Sequence, residues 1–230
     1  MHTITNFDTA ELLAKAAAAY FMKLANENIE KKGKFTVALS GGNTPMSLYK
    51  LLASPTFSHL IDWKKVFIFW GDERCVPLDS HDNNAFNAKN VLLSKIKIPA
   101  KNIFAIPVDE TPVNAAIYYE AIIKIFFKTD KPIFDLILLG MGDDGHTASL
   151  FPYTSILKEK NKLVKEVFLA DKNVWRVSLT APIINQVKHK LFLIAGKNKA
   201  PMVDIILNGE KNTEKYPAQM IEDAEWFVSI

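Results

Sequence analysis

The chain has 230 residues, 49% hydrophobic and 23% charged, which is enough apolar material for a full core and excludes a disordered or fibrous protein. Its 28 lysines and arginines against 25 aspartates and glutamates leave a formal charge of +3 spread along the sequence, so neither a nucleic-acid nor a membrane partner is indicated. One cysteine, Cys75, excludes an internal disulfide and a cysteine-based zinc site; with no leader pattern and no run of ~18 apolar residues, a soluble cytoplasmic protein with one domain over 1–230 is expected.

Asp8-Thr9-Ala10-Glu11 has the form of a capping box, and the alanine- and leucine-rich run from Leu12 to about Ile29 predicts an amphipathic helix ended by Gly33. Phe35 to Leu39 is a short apolar run of the kind found in buried parallel strands, followed by Ser40-Gly41-Gly42-Asn43-Thr44-Pro45 and a helical segment from Met46 to Leu52. The same unit recurs three times. Val66 to Trp70 runs into Gly71-Asp72-Glu73-Arg74 and a helix over Asn83 to Ser94. Phe134 to Leu139 runs into Gly140-Met141-Gly142-Asp143-Asp144-Gly145-His146. Lys190 to Ala195 runs into Gly196-Lys197-Asn198-Lys199-Ala200 and a helix through Leu207. A helix over Val113 to Phe127 and strands over Leu163 to Phe168, Val174 to Leu179 and Trp226 to Val228 complete the reading.

This alternation predicts an α/β fold, an open, mainly parallel, Rossmann-like sheet with helices on both faces. In such sheets ligands bind beyond the carboxyl ends of the strands, so the four polar loops are expected to converge on one site.

The Ser40 to Pro45 loop offers backbone N–H groups at glycines and a helix start, a favourable cradle for phosphate to which Ser40 and Thr44 would add hydroxyls. It lacks the Gly-Lys-Ser/Thr ending of a nucleotide-triphosphate loop. Gly140 to Gly145 matches GxGxxG, but two aspartates stand where a pyrophosphate would lie and Pro152 interrupts a long following helix, which argues against a dinucleotide. What the segment does offer is a carboxylate, Asp144, two residues before an imidazole, His146. A free imidazole titrates near ~6.5 and suits general acid–base work around neutrality. Asp72 and Arg74 place opposite charges at another strand end, and Arg176 and Lys199 add cations near strand ends. Taken one at a time, these features also fit a tight turn, a structural ion pair and solvated charges. No HExxH pattern or GxSxG elbow occurs, so metal-dependent and serine-hydrolase chemistry are not indicated.

Together these residues resemble the 6-phosphogluconolactonase family, which is related to the glucosamine-6-phosphate deaminases. The likeness runs from Val37 to Pro45, through Trp70-Gly71-Asp72-Glu73-Arg74-Cys75-Val76-Pro77 and Phe134 to Pro152, to Arg176 to Thr180 and Gly196 to Ala200. The Gly-Gly loop and the Asp-Gly-His element are common to both branches. Arg74, where the deaminases typically carry tyrosine, and the Thr147 to Pro152 run favour the lactonases.

The resemblance implies hydrolysis of 6-phospho-D-glucono-1,5-lactone without cofactor or metal, and a monomer is expected. His146 would be the acid–base group and Asp144 its partner. Ser40, Gly41, Gly42, Asn43, Thr44, Arg176 and Lys199 would hold the 6-phosphate, and Arg74, paired with Asp72, would meet the carbonyl or sugar end or else the phosphate. The alternatives are a glucosamine-6-phosphate deaminase or isomerase and a non-catalytic sugar-phosphate sensor. Tyr153 departs from the family, standing where many members carry glycine.

Overall fold

The computed structural model describes residues 2–230. After a short strand, β1 (Thr3–Asn6), the long helix α1 (Ala10–Lys32) turns Leu13, Ala17, Phe21 and Leu24 inward at helical spacing. Thr9, not Asp8, caps it: the Leu12 N–H donates to Thr9 Oγ1 at 3.2 Å. Gly33 closes it in the left-handed region at φ 77°, which a side chain would disfavour.

There follow β2 (Phe35–Leu39), α2 (Asn43–Leu52), a single turn α3 (Pro55–Ser58), β3 (Val66–Trp70) and β4 (Asp72–Arg74). Next are α4 (Asn84–Ala88), α5 (Pro112–Phe127) and β5 (Leu136–Leu139), then β6 (Val164–Leu169), β7 (Val174–Leu179), α6 (Ala181–Gln186), β8 (His189–Ala195), α7 (Ala200–Asn208) and β9 (Glu225–Ser229).

Six strands form one sheet in the order β1-β9-β8-β5-β2-β3, every pair parallel. Every residue of β2 and β5 is buried, as central parallel strands covered on both faces require. The open parallel α/β sheet expected from the alternating pattern is therefore present.

At the amino-terminal edge of the sheet, buried Asp135 accepts bonds from the Thr36 N–H and hydroxyl and from Lys32 (2.5 Å) and Lys188 (3.0 Å), fixing β2 against β5. Phe69 stacks on Phe104 at 4.6 Å in the aromatic core beside α5.

The structure departs from the sequence reading at a few places. Asp72 to Arg74 is not a loop but a strand, which pairs antiparallel with β7 in a second sheet of order β4-β7-β6. Arg176 accordingly lies within β7 instead of near a strand end. The helix expected over Asn83 to Ser94 is α4 followed by a π-helical turn at Lys89–Leu93. The strand β1 adds an exposed edge beside β9. Among the described residues no helix is long and apolar enough to cross a membrane.

Candidate active site

The three loops after β2, β5 and β8 converge with strand β4, which follows β3, as their positions at the strand ends predict. They line a cleft of ≈ 420 Å³ beyond the carboxyl ends of β2, β3, β5 and β8, with Arg176 entering from the second sheet. Ser40, Gly41, Gly42, Asn43, Thr44, Asp72, Arg74, His146, Arg176 and Lys199 all line it, and Asp144 stands behind His146.

The phosphate-loop candidate is fixed from beneath by fully buried Tyr49, whose hydroxyl receives the Ser40 N–H at 3.0 Å and donates to the Ser40 carbonyl at 2.7 Å. Gly42 begins α2 at φ 97°, and no side chain caps the helix. Its first-turn N–H groups carry partial positive charge toward the cleft, the ordinary arrangement for an anion at a helix start. Gly41 is glycine for a separate reason: a Cβ there would lie 1.9 Å from Asn84 Oδ1.

His146 Nδ1 lies 2.5 Å from Asp144 Oδ1, and the same oxygen accepts the His146 backbone N–H at 3.1 Å. The ring stacks on Phe151, with centroids 3.9 Å apart and planes 20° from parallel. Against it lies Gly142, where a Cβ would stand 2.1 Å from Nδ1. The imidazole is thus held by a carboxylate, an aromatic face and bare backbone. Burial lifts the Asp144 carboxyl, but the hydrogen bond and charge of His146 outweigh it and hold Asp144 down to about 2. With Nδ1 engaged, Nε2 is the nitrogen left for a bound molecule.

The sequence paired Arg74 with Asp72, and the structure pairs them differently. Asp72 Oδ2 accepts the Ser149 hydroxyl at 2.6 Å and lies 3.8 Å from Arg176 Nη1. Arg74 Nη1 instead donates to the Asp82 carbonyl at 2.8 Å. Arg74 and Arg176 are direct cross-strand partners of β4 and β7, a like-charge juxtaposition that is unfavourable without a neutralising group. Burial and the nearby Arg74 charge push the Arg176 guanidinium down from its usual range, opposed by Asp72. The buried Nε of each arginine has no hydrogen-bond partner.

Lys199 Nζ reaches the Met141 carbonyl at 3.0 Å and Asp143 Oδ1 at 2.6 Å, joining the turn after β8 to the loop that carries His146. Sequence reasoning missed Phe151, Glu73 and Asn84 as parts of this site. Gly142 was visible as a motif glycine, and the spatial reason for it was not.

A family model described as Glucosamine-6-phosphate isomerases/6-phosphogluconolactonase matches residues 8–228. A 6-phosphogluconolactonase of Nostoc sp. is 38% identical over 219 residues, covering 94% of this chain and 88% of the relative. The crystal structure of a 6-phosphogluconolactonase from Thermotoga maritima, 33% identical, matches with a TM-score of 0.85 over 100% of each chain. A monomeric glucosamine-6-phosphate deaminase, 20% identical, has the same fold with a TM-score of 0.84 over 99% of this chain and 97% of its own. With a family-model match over residues 8–228 and relatives that agree with it in sequence and fold over nearly its whole length, the chain belongs to the glucosamine-6-phosphate isomerase/6-phosphogluconolactonase family.

Proposed function

We propose that the protein is a 6-phosphogluconolactonase: it hydrolyses 6-phospho-D-glucono-1,5-lactone to 6-phospho-D-gluconate, the second step of the oxidative pentose phosphate pathway. The curated relatives bearing that name, and Arg74 where the deaminases typically have tyrosine, support this branch over the deaminases. We read residues 1–230 as one catalytic α/β domain acting as a cytoplasmic monomer. The family match over 8–228 supports the domain reading, and the single cysteine fits a reducing compartment.

The observation that carries the chemistry is the imidazole of His146, tethered through Nδ1 to Asp144 and lining a cleft that also holds the cationic residues Arg74, Arg176 and Lys199. His146 Nε2 takes a proton from water as the water oxygen attacks the lactone carbonyl carbon, and Asp144 steadies the imidazolium. Arg74 faces the negative charge that develops on the carbonyl oxygen. As the bond from carbonyl carbon to ring oxygen breaks, the imidazolium returns its proton to the ring oxygen, which becomes the C5 hydroxyl. The new carboxylic acid ionises to solvent. Only protons and one acyl bond move, so the steps call for no redox or group-transfer carrier.

The loop Ser40 to Thr44, Arg176 and Lys199 hold the 6-phosphate and place the carbonyl beside His146, with Asp72 orienting Arg176. The test is the loss of freshly generated lactone over the no-protein background, run beside ammonia release from glucosamine 6-phosphate. Accelerated lactone loss without ammonia is expected, and ammonia release would move the protein to the other branch.

A further inference from the structure

Glu73 is 1% exposed and stands between two residues of the cleft, yet the mechanism above gives it no part. Its carboxylate accepts three backbone N–H groups: Oε1 takes those of Arg74 and Asn84, and Oε2 takes that of Ala85, each at 2.8 Å. Two of these belong to the first turn of α4, so Glu73 binds β4 to the start of a helix eleven residues further along the chain. Burial lifts this carboxyl to about 7 against the pull of those N–H bonds, so it is held there at a cost in desolvation.

What α4 presents at that end reaches the cleft on two sides. Asn84 Nδ2 donates to the Asp72 carbonyl at 3.1 Å, and its Oδ1 lies where a Cβ on Gly41 would be only 1.9 Å away, so Asn84 forms the wall against the Gly-Gly loop. Two residues earlier, the Asp82 carbonyl receives Arg74 Nη1 at 2.8 Å.

From this we infer that Glu73 is a positioning residue for substrate binding: by pinning Asn84 and Ala85 it sets the Asn84 wall behind Gly41. The inference rests on the lactonase reading and adds to it the device that keeps the phosphate loop in register. His146 is held by a different set of contacts, so loss of Glu73 acts on binding and leaves proton transfer in place.

Glu73→Gln keeps the shape of the side chain but turns an amide N–H₂ toward at least one of the three donors. The expected result is a KM about tenfold higher with kcat within about threefold of wild type. Asn84→Ala removes the wall directly and is expected to move KM in the same direction. In the double variant KM is expected to rise no further than in the worse single variant, because both substitutions break one chain of contacts. A folded Glu73→Gln with unchanged KM, a fall confined to kcat, or additive effects in the double variant would overturn the inference. Should Glu73→Gln fail to fold, Asn84→Ala decides alone, and an unchanged KM there overturns it. An inactive wild type would instead remove the lactonase reading on which the inference stands.

Discussion

Gly142 and His146 share a space that no side chain at position 142 could enter: a Cβ there would fall 2.1 Å from Nδ1 and 2.2 Å from Cε1 of the imidazole. The same Cβ would lie 2.5 Å from Asp144 Oδ1, so the absence of a side chain is what allows the histidine and the carboxylate to meet.

Gly142→Ala is therefore expected to displace the imidazole while leaving the sheet intact. A shift of about 1 Å in a reacting group lowers turnover by ~10²-fold. Steady-state kinetics with circular dichroism as a control for folding will show it, and a variant with wild-type kcat would mean that the ring has room to move without loss.

Lys199 has two roles on offer, a phosphate contact and a tie to Asp143, and two substitutions separate them. Lys199→Ala is expected to raise KM about tenfold with little change in kcat, since a phosphate contact is present in ground and transition states alike. Asp143→Asn keeps the ammonium in the cleft and is expected to leave KM near wild type. Equal effects of both would assign Lys199 to the loop tie.

Tyr153 occupies the left-handed region at φ 60° with its side chain mostly in solvent. Relief of that strain is worth ~1–2 kcal/mol and the added freedom of a glycine in the unfolded chain costs ~0.5–1 kcal/mol. Tyr153→Gly is expected to stabilise the protein by about 0.5 kcal/mol, read as a rise of ~1–2 °C in Tm, with kcat unchanged. A lower Tm would show that the ring packs more than its exposure implies.

Asp144 supplies the pH dependence. Its carboxyl falls from the ordinary 3.8 to about 2 in the folded protein, so its contribution to stability is present above the unfolded value and is lost as pH falls through about 2. Wild type is expected to exceed Asp144→Asn in chemical denaturation above about pH 4 and to converge with it toward pH 2. A constant difference across that range would separate the carboxylate from the stability of the loop.

Much of this site was legible in the chain because its loops follow dense apolar runs such as Phe35 to Leu39 and Leu136 to Leu139, whose burial on both faces leaves a strong local signal. The second sheet was not. Asp72, Glu73 and Arg74 have the composition of a loop, and they form a strand only because β7 pairs with them from about a hundred residues away. The Arg74–Asp72 pairing failed for the same reason: register against Arg176 and Ser178 decided which charges meet. Gly142 reads as a generic loop glycine, and its contact with His146 exists only once the loop has closed.

The central claim is that His146 moves the proton in lactone hydrolysis. The direct measurement is the rate of loss of freshly generated 6-phosphogluconolactone with wild type, with His146→Ala and without protein. The account predicts rapid loss with wild type and a kcat lowered by ~10²- to 10⁴-fold in the folded variant. Equal rates for wild type and His146→Ala, both above background, would contradict it.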